Sequence, residues 1–428
     1  MSTTPPPGRS GPTLLLNAQY LPSSRDWRTP QGRADSPFDI GTFIRAAQHA
    51  EAAGFHAFFQ ADFSGVDRAS VRTGPPINAF EPFQLAAILA SATSTIAVMP
   101  TASTLYNHPF AFARSLASLD RIARGRAWIN VVSSFRSGTA IGMTRDVPRE
   151  KRHLQTEEFL SVARELWASW PPGATVPDPA GDRFVRDDLI VDVDHRGEFY
   201  EQSGPIDMAP YSAEFPYTLQ ATSSLEGLRL AARTADGVFA GTPTLGSARQ
   251  LRRLLRAEAT RAGRAPDAVE LLPGAFVHIT DTPGTAQRLE EARERYAGNP
   301  VIGTSALRQL RDKFPALPLD GLDASDPLPA GVLPDDPEEV FTTCGSRYLP
   351  LWDLALSGRQ TAGAFAVRAV ALGEHAQFVG TAEEVGDELR RWYEEGGVDG
   401  FQIILGNDFE ALVERTVPRL LTSRTPVA

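Results

Sequence analysis

Apolar residues along this chain fall into two alternating kinds of run. The first is short and nearly continuous: Leu14–Ala18, His56–Ala61, Ile96–Pro100, Ala127–Val132, Tyr217–Ala221, Gly237–Ala240, Glu270–Val277 and Gly400–Leu405. Such runs, apolar on both faces and bounded by turn residues, predict parallel strands covered on both sides. The second kind recurs at three- and four-residue spacing. It covers Asp39–Ala53, Phe83–Thr93, Phe110–Ala123, Lys151–Trp170, Leu225–Thr234, Leu245–Ala262, Ala286–Tyr296, Glu383–Glu395 and a closing segment Phe409–Leu421. These predict helices, and Gly54 and Gly125 stand where helix-terminating glycines belong. Eight strand–helix alternations favour an α/β (β/α)8 TIM barrel. An open doubly wound sheet is the structural alternative.

Two stretches break the alternation. Residues 171–216 hold a Pro-rich turn and then Asp187–Asp194 and Glu198–Tyr200, which with a turn at His195–Gly197 predict a β-hairpin. Residues 298–362 are long, Pro-rich and weakly periodic, so they read as an insertion over the barrel mouth. Its Phe341, Cys344, Arg347 and Tyr348 are candidates to face a substrate as a lid; a dimer contact or a cover for apolar surface is the alternative. The organisation expected is a Pro-, Ser- and Thr-rich disordered tail over residues 1–12, then one barrel domain over 13–428 with insertions after strands 4 and 7. The tail lacks the basic-then-apolar pattern of a secretory signal.

Composition narrows the function classes. The net charge is −10, without a basic stripe, which argues against nucleic-acid and anionic-membrane partners. Cys344 is the single cysteine, so an intrachain disulfide and a cysteine-based zinc site are excluded, and a reducing cytoplasm fits. No apolar run is long enough to span a bilayer. No metal-ligand spacing, nucleophile elbow, Walker loop or dinucleotide glycine motif occurs.

In a barrel, chemistry sits at the C-terminal ends of strands. There the chain places Asp62, then Thr101, Ser103, Thr104, Tyr106, Asn107 and His108, then Asn130, Ser133 and Ser134, then Gln220, Thr222, Ser223 and Ser224, with Thr242 and His278 further on. Ser223 and Ser224 run straight into a helix whose free backbone N–H groups favour an anion; plain N-capping is the alternative. His108, before the helix-opening Pro109, is either a proton donor or a surface residue. Asp62 either binds or caps a turn. Asn130, an amide within an apolar strand, must find partners for structural or functional reasons. His278 reads as a core histidine.

The ordered motifs Leu16-Asn17-Ala18, Asp26-Trp27-Arg28, Phe58-Phe-Gln-Ala-Asp62, Thr101-Ala-Ser-Thr-Leu-Tyr-Asn-His-Pro109, Leu119-Asp120, Gly125-Arg126, Trp128-Ile-Asn-Val-Val-Ser-Ser134, Gln220-Ala-Thr-Ser-Ser224, Phe378-Val-Gly-Thr-Ala-Glu-Glu-Val385 and Gly396-Gly-Val-Asp-Gly-Phe401 resemble those of the bacterial luciferase-like monooxygenases. The resemblance is to the nitrilotriacetate and dibenzothiophene-sulfone monooxygenase (component A) branch, and it spans residues 13–420 in order. It implies a (β/α)8 barrel binding FMN as FMNH2 at its C-terminal rim, a separate flavin reductase, O2, a small-molecule substrate oxygenated through a flavin peroxide, and a homodimer or homotetramer. Carried over by position, Asp62, Thr101 and Ser224 would contact FMN, Asn130 and Ser133 would lie near its ring system, and Ser223 with Ser224 would hold the phosphate. His108 and Asn130 are the catalytic candidates. The sequence departs from the branch at Arg149-Glu-Lys-Arg-His153, where Arg149 and His153 occupy the places of a phosphate-binding His and Tyr. Thr222 replaces a glycine, and Ser23-Ser24-Arg25 stands near a missing histidine pair, so the substrates of relatives are not carried over. A deazaflavin-dependent dehydrogenase of the same superfamily and a non-catalytic flavin-binding barrel are the alternatives.

Overall fold

The parallel strands are short, mostly apolar runs, and many of the helices, those opening at Ile40, Pro82, Pro109, Leu245, Pro300, Pro337, Ala362 and Ala382 among them, are fixed at their start by a local side-chain cap. The computed structural model describes residues 14–20, 28, 36, 38–63, 65, 70–76, 78–133, 147–222, 224–356, 360–405 and 412–417. The expected motif residues 23–27, together with Ser134 and Ser223, lie outside them. The chain divides into two compact units, one holding residues 17–221 and 234–236, the other 10–16, 222–233 and 237–428.

In the first unit the elements are β1 (Leu15–Tyr20), α1 (Ile40–Ala52), β2 (Ala57–Gln60), α2 (Pro82–Ala92), β3 (Ala97–Ser103), α3 (Pro109–Ala123), β4 (Ile129–Val132), α4 (Arg152–Ala168) and β9 (Thr218–Ala221). Asp39, Glu81 and His108 cap α1, α2 and α3 by accepting backbone N–H groups, which satisfies donors a helix start otherwise leaves free. At its end α3 turns left-handed through Arg124 (φ 53°) and Gly125 (φ 84°). The strands run parallel in the order β1-β2-β3-β4-β9. Phe112 on α3 and Phe159 on α4 meet with ring centroids 5.0 Å apart, fastening the helical layer.

Between α4 and β9 lie two hairpins, β5 (Thr175–Asp178) with β6 (Arg183–Val185) and β7 (Asp194–Arg196) with β8 (Glu201–Ser203). One hairpin was expected here, with its turn at His195–Gly197. Instead His195 lies in β7 and pairs with Gln202. The turn is pinned by Glu158 of α4, whose carboxylate accepts the backbone N–H groups of Glu198 (3.1 Å), Phe199 (3.1 Å) and Tyr200 (2.7 Å). A long-range carboxylate, invisible to local patterning, decides where the chain reverses.

The second unit holds α5 (Leu225–Thr234), β10 (Gly237–Phe239), α6 (Leu245–Arg261), β11 (Glu270–Leu271), β12 (Gly274–Ile279), α7 (Thr285–Ala297), α8 (Pro300–Lys313), α9 (Pro337–Cys344), α10 (Leu349–Leu356), α11 (Ala362–Leu372), β13 (Ala376–Gly380), α12 (Ala382–Glu394) and β14 (Gly400–Leu405). The single run expected over Glu270–Val277 is broken at Pro273, which has no N–H for the ladder. β12 pairs in parallel with both β13 and β14; β13 is a strand the periodicity did not announce. Among its described residues, the segment 298–362 holds α8, α9, α10 and a 3-10 turn at Ser346–Tyr348, with Phe341 and Tyr348 buried and Tyr348 edge-on to Phe314 at 5.0 Å. Of the expected closing helix, Leu412–Thr416 forms a π-helical turn.

Candidate active site

Strand register places several polar residues of the first unit on one face. Asn17 sits beside Ala57, Gln19 beside Phe59, Ala57 beside Ala97, Phe59 beside Met99, and Thr101 beside Asn130. Because side chains alternate along a strand, Asn17, Gln19, Thr101, Ser103 and Asn130 share that face. The opposite face carries Phe58, Val98 and Val131 with the amides of Gln60 and Gln220, all buried.

Thr101 and Asn130 are joined. Thr101 Oγ1 donates to the Gln60 carbonyl at 2.6 Å and accepts from Asn130 Nδ2 at 2.9 Å. This fixes the Asn130 amide with Oδ1 turned away, buried and without a hydrogen-bond partner among the described residues. Both amide atoms of Asn17 and Oε1 of Gln19 are likewise buried and unpartnered. An unsatisfied buried polar group costs about 1–3 kcal/mol, so a row of them on one face is the mark of a surface built to meet a polar molecule.

At the end of β2, half-buried Asp62 accepts from Tyr106 Oη at 2.6 Å and from Asn78 Nδ2 at 2.5 Å. Both carboxylate oxygens are thus engaged by the protein. Burial, then the Asp62 contact, drive the Tyr106 phenol far above its ordinary pKa. His108 accepts the Phe110 N–H at Nδ1, 3.3 Å away. That acceptor role leaves the ring proton on Nε2 when the imidazole is neutral. The His108 ring meets Tyr200 edge-on at 5.8 Å. Tyr200 in turn accepts from Gln155 Nε2 at 3.0 Å and donates to the Thr104 carbonyl at 3.4 Å. Burial pushes its phenol up to about 12.

Ser133 follows β4 directly and is half-buried. Arg149 opens a short 3-10 turn before α4, and His153 lies half-buried in the first turn of α4. In the second unit, Ser224 precedes α5 and its Oγ accepts the Gly227 N–H at 3.1 Å, so capping is one of its roles. Thr222 stands close by: a Cβ on Gly227 would come within 1.8 Å of its Oγ1. Among the described residues no group of three His, Cys, Asp or Glu could hold a metal ion.

Several motif residues prove structural. The Arg126 guanidinium donates to the carbonyls of Ile96 (2.6 Å), Ala90 (2.9 Å) and Thr93 (3.2 Å). Asp120 accepts from the Ser212 N–H at 2.7 Å and its hydroxyl at 3.1 Å; burial raises its carboxyl above the usual range. Trp128 lies against Tyr217 at 4.4 Å. Sequence reasoning passed over Asn17, Gln19, Gln155 and Tyr200 as site residues. The alternation Leu16-Asn17-Ala18-Gln19-Tyr20 carried a signal for the first two, since amides at every second position share one face. Nothing local signalled Gln155 or Tyr200.

The luciferase-like monooxygenase family matches residues 24–400. N-acetyl-S-(2-succino)cysteine monooxygenase of Bacillus subtilis (strain 168) is 30% identical over 399 residues, covering 92% of this chain and 88% of that protein. Nitrilotriacetate monooxygenase component A of Aminobacter aminovorans is 30% identical over 409 residues, covering 92% and 88%. Among solved structures, EDTA monooxygenase from Chelativorans sp. BNC1 superposes with a TM-score of 0.71 at 25% identity, over 95% of this chain and 93% of that one. These likenesses establish the luciferase-like (β/α)8 fold class over the open doubly wound sheet. Coenzyme F420-dependent enzymes share only the fold, at 13% and 14% identity and a TM-score of 0.55, so the deazaflavin alternative is set aside. No helix among the described residues is long and apolar enough to cross a membrane. The chain belongs to the luciferase-like monooxygenase family and is a flavin-dependent monooxygenase.

Proposed function

We propose that this protein is the oxygenating component of a two-component system in the cytoplasm, taking FMNH2 from a separate flavin reductase and using O2 to oxygenate a small organic substrate. The observation that carries the reading is the buried amide face of the first unit, where Asn17, Gln19 and Asn130 offer polar atoms with no partner among the described residues. Their chemistry suits a flavin, whose ring edge alternates donors and acceptors, as these amides do. When bound, the reduced flavin supplies the electrons that activate O2.

The chain's own part is binding, orientation and proton handling. Asn130 Oδ1, fixed by the Thr101 bond, is an acceptor for a ring N–H. His108 holds a proton at Nε2 while Nδ1 caps α3, and it is the candidate donor to an oxygen that gains charge during the reaction. Ser133 contributes a hydroxyl next to Asn130. Asp62, with both oxygens engaged, acts through Tyr106 and Asn78, holding the rim rather than reaching the flavin alone. Arg149, His153, Ser223 and Ser224 are the candidate phosphate contacts. A guanidinium and a helix start both favour a phosphate, and Ser224 Oγ can donate while it caps.

The test is anaerobic titration of the purified protein with FMNH2 and with FMN, followed by admission of air. Saturable FMNH2 binding and an altered rate of flavin reoxidation support the reading. Absence of FMNH2 binding, or reoxidation identical to free flavin, defeats it.

A further inference from the structure

A second unpartnered polar cluster lies within the second unit. Gln402 of β14 sits beside Gly274 of β12. His375, one residue before the Ala275–Ala376 pair, flanks the same glycine on the β13 side. The imidazole leans over that glycine: a Cβ on Gly274 would lie 2.4 Å from His375 Nδ1. Neighbouring strands lie about 4.8 Å apart, so Gln402 and His375 stand on one face about two spacings apart with no side chain between them. Gly241, just after β10, also closes on this point, since a Cβ there would come within 2.6 Å of the Glu374 carbonyl. Thr242 follows it.

Among the described residues Gln402, fully buried, has both amide atoms unpartnered, and His375 Nδ1 has no hydrogen bond. The ring walls are Phe239, stacked on His375 at 5.5 Å, and Phe276 at 6.1 Å. These rings and His375 are only half-buried, so the cluster can be reached. It carries no cation. Burial holds His375 below its ordinary pKa, opposed by Glu374, and the Glu374 carboxylate pairs outward with Lys313 at 3.7 Å.

We propose that His375 and Gln402 form a substrate subsite for an uncharged hydrogen-bonding group, such as an amide or carbonyl, borne on an aromatic or apolar body. The Gln402 amide offers both donors and an acceptor, and the rings receive the body. A carboxylate would be buried here without a counter-charge, at high cost. This rests on the reading of the protein as an oxygenase of a small organic molecule.

Benzamide and benzoate, matched in shape and different in charge, are the probes, used at the millimolar concentrations that fragments of this size require. In the full-length wild-type protein, benzamide should shift the 15N resonances of His375, and benzoate should not. His375→Phe keeps the stack on Phe239 and removes both nitrogens; it and Gln402→Leu should each weaken benzamide binding about tenfold. Both should bind FMN as the wild type does. The subsite is overturned if benzamide leaves the His375 resonances unmoved, if benzoate binds as well, or if neither substitution alters benzamide binding. It is overturned equally if a crystal grown with benzamide shows only water between His375 and Gln402. Loss of FMN binding by the wild-type protein would instead defeat the proposed function and leave the benzamide result standing.

Discussion

Asn130 Nδ2 donates to Thr101 Oγ1 at 2.9 Å between adjacent parallel strands, and that bond decides which end of the Asn130 amide is left for a ligand. Thr101→Val keeps the shape and removes the hydroxyl. The Gln60 carbonyl and Asn130 Nδ2 then lose their partner, and stability should fall by about 1–3 kcal/mol. FMNH2 affinity should fall as well, because the amide is free to turn. Urea unfolding and anaerobic titration measure the two separately.

His108 does two jobs through two nitrogens. His108→Ala removes both the helix cap and the Nε2 proton, and should cost about 1 kcal/mol of stability as well as activity. His108→Asn keeps a good cap and loses the proton. It should retain wild-type stability yet slow FMNH2 reoxidation by O2, read in a stopped-flow instrument. An Asn variant as fast as the wild type would remove His108 from the chemistry.

Arg126 should matter for folding alone. Its planar donors reach the carbonyls of Ala90 and Thr93 at the end of α2 and of Ile96 just before β3, and the point charge of a lysine cannot reproduce that fork. Arg126→Lys should lower stability by about 2 kcal/mol and leave FMN affinity unchanged. A change in affinity without loss of stability would contradict this.

Glu158 should control the hairpin that delivers Tyr200. Its carboxylate accepts three consecutive backbone N–H groups, and Gln offers one acceptor and two donors instead. Glu158→Gln should speed hydrogen exchange at Phe199 and Tyr200 while leaving the β3 amides protected.

The Tyr200 phenol, raised by burial from 10.0 to about 12, gives a pH dependence of defined sign. The folded form binds its proton more tightly than the unfolded form. Its contribution to stability is therefore fully present below pH 10 and is lost as pH rises from there toward about 12. Tyr200→Phe should flatten that decline in alkaline unfolding curves.

Much of this protein was settled by short-range pattern. Seven of the eight apolar runs became single strands of three to seven residues, because continuous burial on both faces leaves few alternatives, while the run at Glu270–Val277 split at Pro273. Asp39 and His108 became helix caps because their acceptors lie two residues from the N–H they satisfy. The ordered motifs also carried the family. What local pattern could not decide is what depends on segments far apart in the chain. Thr101 and Asn130 are separated by 29 residues, and only strand register puts them on one face. Tyr200 meets the carbonyl of Thr104 across 96 residues, held there by Glu158. Asp62 and Arg126 carry functional-looking sequence, and the tertiary structure already engages both, Asp62 with Tyr106 and Asn78 and Arg126 with three backbone carbonyls. The sequence alone determines which groups are available at strand ends; the tertiary structure decides which of them are already satisfied. A hydrogen bond spent within the fold is no longer open to a ligand.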